Sequence, residues 1–207
     1  MHERFKARAA FAGYMALLVM FESDYSFMIF NIFLAFAALE LSFLLPLFAI
    51  RKKSEIPLSV AFYLVFILLS PNVFYVVTDL IHLNIFNFHY LQGMSRREWW
   101  NFTVLLCGVL LAVFYYALML NQISGLFRNG KVRIAVLIGF MALGSVGIYM
   151  GRFLRFHSIH LFTEPFSIFA RLLDAINLDF ALFVGWMTLL QFLTYWLFLD
   201  RRRCTHD

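Results

Sequence analysis

Asp79 and His82 stand three residues apart in the stretch Ser70-Pro-Asn-Val-Phe-Tyr-Val-Val-Thr-Asp-Leu-Ile-His82, so on a helix they share one face. A carboxylate beside an imidazole can serve acid/base catalysis, and both are candidate catalytic residues. Arg152 and Arg155 have the same spacing in Gly151-Arg-Phe-Leu-Arg-Phe-His-Ser158. Two guanidinium groups at a membrane interface suit a phosphate, through bidentate hydrogen bonds. Asn31, Asn72, Tyr75, Thr78 and Ser158 add neutral donors and acceptors for a bound ligand. The same residues also admit plainer roles. Asp79 can form a salt bridge to Arg152 or Arg155, and Asn72 or Ser70 can cap a carbonyl that Pro71 frees. The arginines can pair with Glu164 or snorkel. A metal needs three or four ligands, and His157 and His160 would have to join Asp79 and His82 across a loop. No metal and no cofactor is expected.

These residues are positioned by an unusually greasy chain. Hydrophobic residues make up 63% of it, charged residues 14%, and the mean hydropathy is +0.80. Soluble domains are about 45–50% apolar and about 25% charged. The composition predicts an all-α integral membrane protein, a polytopic helix bundle forming one domain over residues 1–207. With about 20 apolar residues per crossing, about six spans are expected, near 8–22, 25–50, 57–82, 99–122, 133–151 and 179–199. The basic start and short apolar run of the first resemble a signal peptide. Glu22-Ser-Asp24 follows instead of a small-residue cleavage site, so an uncleaved helix is expected. Thr163-Glu-Pro165 opens a further helix. Phe166, Phe169, Leu172, Leu173 and Ile176 recur at helical spacing over 165–177, which predicts an amphipathic helix in the interface.

Lys and Arg orient the spans. One side collects Arg4, Lys6, Arg8, Arg51, Lys52, Lys53, Arg128, Lys131, Arg133, Arg201, Arg202 and Arg203, out of 17 basic residues. The other side holds Arg96, Arg97, Arg152, Arg155 and Arg171, with acids that include Glu22, Asp24, Asp79 and Glu98. Both termini are expected in the cytoplasm, the protein in a bacterial cytoplasmic membrane. The net charge of +5 therefore reads as topology, and no nucleic-acid partner is expected. Oligomeric state is not legible. Cys107 and Cys204 fall at different depths, so no disulfide is expected.

At about 1.5 Å of rise per residue, Asn72 lies about 22 Å along its span, Asp79 about 33 Å and Arg152 about 28 Å. Asn31 lies about 9 Å below the outer surface. These residues, with His82 and Arg155, share the outer third of the membrane. Glu40 is an intramembrane acid about 22 Å down the second span. It is a candidate for a proton path or for a hydrogen bond to Ser42 or a neighbouring helix. Gly139, Gly144, Gly147 and Gly151 mark the fifth span for close helix packing. Asn101-Phe-Thr103 matches a glycosylation sequon but opens a span, which argues against its use.

The two polar stretches together resemble an uncharacterised bacterial membrane family, domain of unknown function 1361. That family shows a segment like LPNxPYxxTDLxHL and a later one like GRFLRWNSWD followed by a proline. Asn72, Tyr75, Thr78, Asp79, His82, Arg152, Arg155 and Ser158 match, with Pro165 after them, and Asn31-Ile-Phe-Leu-Ala35 fits as well. Phe156-His157-Ser158-Ile159-His160 departs from the pattern, so no role of its Asn or Asp carries over. The resemblance implies positions and no activity. Three classes stay open. The first is a membrane protein binding an anionic lipid headgroup or envelope precursor. The second is an enzyme acting on a lipid-linked substrate through Asp79 and His82. The third is a proton-coupled transporter using Glu40 and Asp79. Membrane lipids are the expected partners.

Overall fold

The computed structural model describes residues 2–21, 24–85, 93, 95–155 and 165–199. They are mostly helical, with no strand among the described residues. The helices are α1 (His2–Met20), α2 (Phe27–Ser42), α3 (Ile56–Leu69), α4 (Pro71–Tyr75), α5 (Arg96–Gly125), α6 (Gly130–Arg152), α7 (Pro165–Asp174) and α8 (Leu178–Leu199). A 3₁₀ helix, Val76–Ile85, continues α4.

Four helical stretches are long and apolar enough to cross a membrane: Lys53–Asn84, Arg96–Gly125, Gly130–Arg152 and Leu178–Phe198. The other two expected spans are shorter or more charged. α2 ends at Ser42, where Pro46 opens a separate 3₁₀ turn, so the expected helix over 25–50 is cut to 16 residues. α1 begins at His2, well before residue 8, because Arg4, Lys6 and Arg8 form its first turns. α7 stops at Asp174, three residues short of expectation.

α5 is the central post. Its 30 residues reach about 45 Å, and α1, α2, α4, α6 and α8 all pack on it. α1 is pinned to it at two levels. The Tyr14 hydroxyl donates to the Val104 carbonyl at 2.9 Å, and the Tyr115 hydroxyl to the Ala7 carbonyl at 3.1 Å. Gly108 makes this approach close: a Cβ there would stand 2.2 Å from Met28 Cε and 2.5 Å from the Tyr14 hydroxyl oxygen.

α6 and α8 are joined by a buried polar relay that the sequence reading missed. The Tyr116 hydroxyl donates to Gln191 Oε1. Gln191 Nε2 donates to Ser145 Oγ at 2.7 Å and to the Met187 carbonyl at 3.2 Å. Ser145 donates onward to the Met141 carbonyl at 2.9 Å, so the Thr188 hydroxyl, 2.9 Å away, donates to it. Tyr116, Ser145 and Gln191 are almost fully buried. Each group has partners, which is what hydrocarbon surroundings require. The signal was present as Thr188 and Gln191, isolated polar residues one turn apart in an apolar segment.

The outside is apolar. Leu182, Trp186, Leu189, Leu193 and Trp196 form an exposed face along α8. Such a surface is stable against lipid and not against water.

Candidate functional site

Pro71 initiates the site. It has no N–H for the Ile67 carbonyl, and the Ser70 hydroxyl donates to that carbonyl instead, at 3.0 Å. The next bond tightens to the i+3 spacing, with Val73 N–H donating to the Ser70 carbonyl at 3.2 Å. That leaves the Leu69 carbonyl to the Asn72 side chain, at 2.9 Å. Thr78 Oγ1 likewise donates to the Tyr75 carbonyl at 2.6 Å, and His82 Nδ1 lies 3.0 Å from the Asp79 carbonyl. Asn72 is thus a backbone cap.

The 3₁₀ geometry stacks residues three apart, which brings Asp79 inward, 1% exposed. Arg152 Nη2 donates to Asp79 Oδ1 at 2.6 Å, and Asn31 Nδ2 donates to Asp79 Oδ2 at 2.7 Å. Arg152 also donates to Thr78 Oγ1, from Nε at 3.1 Å and from Nη2 at 2.5 Å. Its guanidinium carbon stands 4.3 Å from the centre of the Tyr75 ring, within cation–π range. Asn31, Tyr75, Thr78, Asp79 and Arg152 therefore form one node joining α2, α4 with its 3₁₀ continuation, and α6.

The glycines make the joint possible. A Cβ at Gly147 would stand 2.6 and 2.9 Å from Pro71 Cγ and Cβ. One at Gly151 would stand 3.2 Å from the Tyr75 ring. Gly144 faces Gln191 Oε1 at 3.2 Å, while Gly139 faces open space. Three of the four glycines expected to pack do so.

His82 sits at the edge. Its Nδ1 is 3.9 Å from Asp79 Oδ1, its ring packs on Phe27 at 4.5 Å, and its side chain is 24% exposed. Arg155 is exposed, with a left-handed φ of 55°. It makes no ion pair or hydrogen bond among the described residues. Ser158, His157, His160 and Glu164 lie outside the described residues. No cluster of three or more metal-ligating side chains occurs among the described residues.

Glu40 is separate from the node, at the opposite end of α2. Arg4 Nη2 reaches Oε2 at 2.5 Å, and Arg8 Nε and Nη2 reach Oε1 and Oε2 at 2.8 Å. The expected intramembrane acid is therefore shared by two arginines of α1, and Ser42 bonds instead to the Leu39 carbonyl.

A surface clamp lies beside the node. Arg97 holds Asp24 in a bidentate pair at 2.6 and 3.0 Å, and Asn101 Nδ2 donates to Asp24 Oδ2 at 2.6 Å. Asn101 is only 2% exposed, which disfavours use of its sequon. The hydrogen bonds from Arg97 and then Asn101 pull the Asp24 carboxyl below its ordinary value. A depressed acid contributes stability above its unfolded pKa and loses it as pH falls through the folded one. Acidification below about pH 4 should loosen this clamp. Trp100, next to Asn101 and packed on Phe21 at 5.5 Å, reports it by fluorescence. Asp24→Asn should remove that acid response, and an unaltered response would rule the clamp out as its source.

A lipid-compatible surface around satisfied polar nodes defines a multi-pass integral membrane protein. The chain belongs to the family described as Protein of unknown function (DUF1361), whose model matches residues 30–194. That range contains every node residue. No curated protein and no solved structure matches the chain.

Proposed function

We propose that the protein binds an anionic group, a lipid headgroup or envelope precursor, where the Asp79–Arg152 node meets the outer leaflet. The reading includes six crossings, both termini in the cytoplasm and a bacterial cell membrane as the setting. The observation that carries it is Arg155. This exposed cation sits three residues from Arg152 in a strained left-handed conformation, and such conformations concentrate at functional positions. Arg152 is oriented beside it by Asp79 and Thr78. A preorganised guanidinium next to one with no ion pair among the described residues suits a phosphate. Ser158 and α7 would complete and cover the site. Full-length protein in vesicles containing phosphatidylglycerol should retain that lipid. Arg155→Gln should weaken retention about tenfold, in line with one lost charge-assisted hydrogen bond. Equal retention by the variant would sink the reading.

One observation favours a second reading, an enzyme acting on a lipid-linked substrate. The Nδ1 contact of His82 with Asp79 fixes the ring, and Nε2 has no partner among the described residues. A general base needs that arrangement. His82→Gln with normal folding and normal complementation would remove it.

A further inference from the structure

A second polar site lies at the end of the bundle away from Asp79. Between the last turn of α5, the loop after it, the first turn of α6 and the end of α8 is a cavity of about 660 Å³. Its polar lining comes from Asn121, Gln122, Ser124, Arg128, Arg133 and Tyr195. That volume is in the ordinary range for a small-molecule site, about 300–1,000 Å³. Every one of these side chains can donate a hydrogen bond, and no acid lines the cavity among the described residues.

Among the described residues, the acids at this end are already used. Glu40 is held by Arg4 and Arg8, Glu3 lies 3.9 Å from Lys6, and Glu55 accepts from the backbone N–H groups of Arg51 and Lys52. Arg128 and Arg133 have no ion pair among the described residues. Nε of Arg133 is also shut away from solvent with no acceptor, the one such side-chain atom among the described residues. Solvent does not reach that Nε, so the terminal guanidinium nitrogens of Arg133 are the ones that would meet a ligand in the cavity. The N-terminus of α6 adds positive potential. Asn129 Oδ1 already accepts from Lys131 N–H at 2.9 Å and Val132 N–H at 3.4 Å, so side chains would do the gripping.

We infer that this cavity binds a phosphate group, with Arg133 and Arg128 as its charged donors and Asn121, Gln122, Ser124 and Tyr195 completing the shell. The phosphate belongs either to an inner-leaflet lipid headgroup or to a soluble phosphorylated molecule. This site stands independently of the one proposed around Arg155.

Two arms of one experiment distinguish the sources. Thermal unfolding of the full chain is followed in phosphatidylcholine nanodiscs titrated with inorganic phosphate, using chloride of equal ionic strength as reference. It is also followed in nanodiscs containing phosphatidylglycerol. Both arms are run in the Arg155→Gln background, which sets the other proposed site aside; a rise in Tm in the first arm identifies a soluble phosphate, and a rise in the second alone identifies a headgroup. Arg128→Gln with Arg133→Gln should weaken the response at least about tenfold in ligand concentration. Tyr195→Phe, nearly isosteric, should weaken it less and guards against misfolding of the double variant. No rise in either arm overturns the inference, as does an equal rise with and without the arginine double substitution.

Discussion

Asp79→Leu is expected to destabilise the bundle by about 3–5 kcal/mol, because it strands the Arg152 charge in a buried site. Asp79 is 1% exposed and the Arg152 side chain 13%, so solvent cannot take over the lost partner. For a chain of this size each kcal/mol lowers Tm by about 2–4 °C, so a loss of about 6–20 °C is expected in nanodiscs. Asp79→Leu with Arg152→Met should recover most of it, since an apolar pair of similar volume often replaces a buried ion pair without penalty. Thr78 and Asn31 would each lose a partner, which keeps the recovery incomplete. A double variant as unstable as the sum of the single ones would show that the pair is not coupled. The double variant also separates two questions that Asp79 alone confounds. It restores the fold while removing the guanidinium beside Arg155, so lipid retention can be read without collapse of the helices.

The node was legible as a level in the membrane but not as a geometry. Helical rise places Asn31, Asp79 and Arg152 at one depth, and lipid makes it costly to leave such groups apart. The partner assignment inside the node was not available from spacing. Asp79 takes Arg152, while Arg155, one turn later with the same side chain, ends exposed. That choice depends on where α6 stops and on the 3₁₀ tightening after Pro71, which turns Asp79 inward. Pro71 was readable as a break; the ten-residue 3₁₀ run that follows was not. Such runs seldom exceed three or four residues, and here Asn72 and Thr78 side chains donate to the spare Leu69 and Tyr75 carbonyls. For Glu40, a hydrogen bond to a neighbouring helix was among the expected roles, but its partners were not legible. Depth placed it inside the bilayer, but α1 begins at His2 and carries Arg4 and Arg8 alongside it. A hydropathy window that starts at residue 8 leaves Arg4 outside the span and puts Arg8 at its very edge. The Arg133 cavity was not legible, because Arg128 and Arg133 read only as topology charge and nothing in the spacing joins them to Asn121 on α5 and Tyr195 on α8.

Gly147→Leu is expected to break the seat on which the node depends. The Pro71 ring, 2.6 Å from where a Cβ would be, has no flexible end to swing aside. Either α6 moves off α4 or the side chain is forced from its rotamer; overpacking of this kind costs about 1–3 kcal/mol or more. Moving α6 lengthens the Arg152 contacts with Thr78 and Asp79 five residues further along, so packing and ion pair fail together. Gly139 supplies the control. It lies two turns earlier on the same helix and a Cβ there meets nothing within 4 Å. Gly139→Leu should therefore be neutral or stabilise by up to about 1 kcal/mol, through higher helix propensity alone. The two variants add the same side chain to the same helix, so a difference in Tm between them isolates the α6–α4 contact. If both shift Tm alike, Pro71 and Gly147 are not the joint. If only Gly147→Leu falls and Gly147→Leu in the Asp79→Leu, Arg152→Met background falls by less, the seat and the ion pair are one coupled unit.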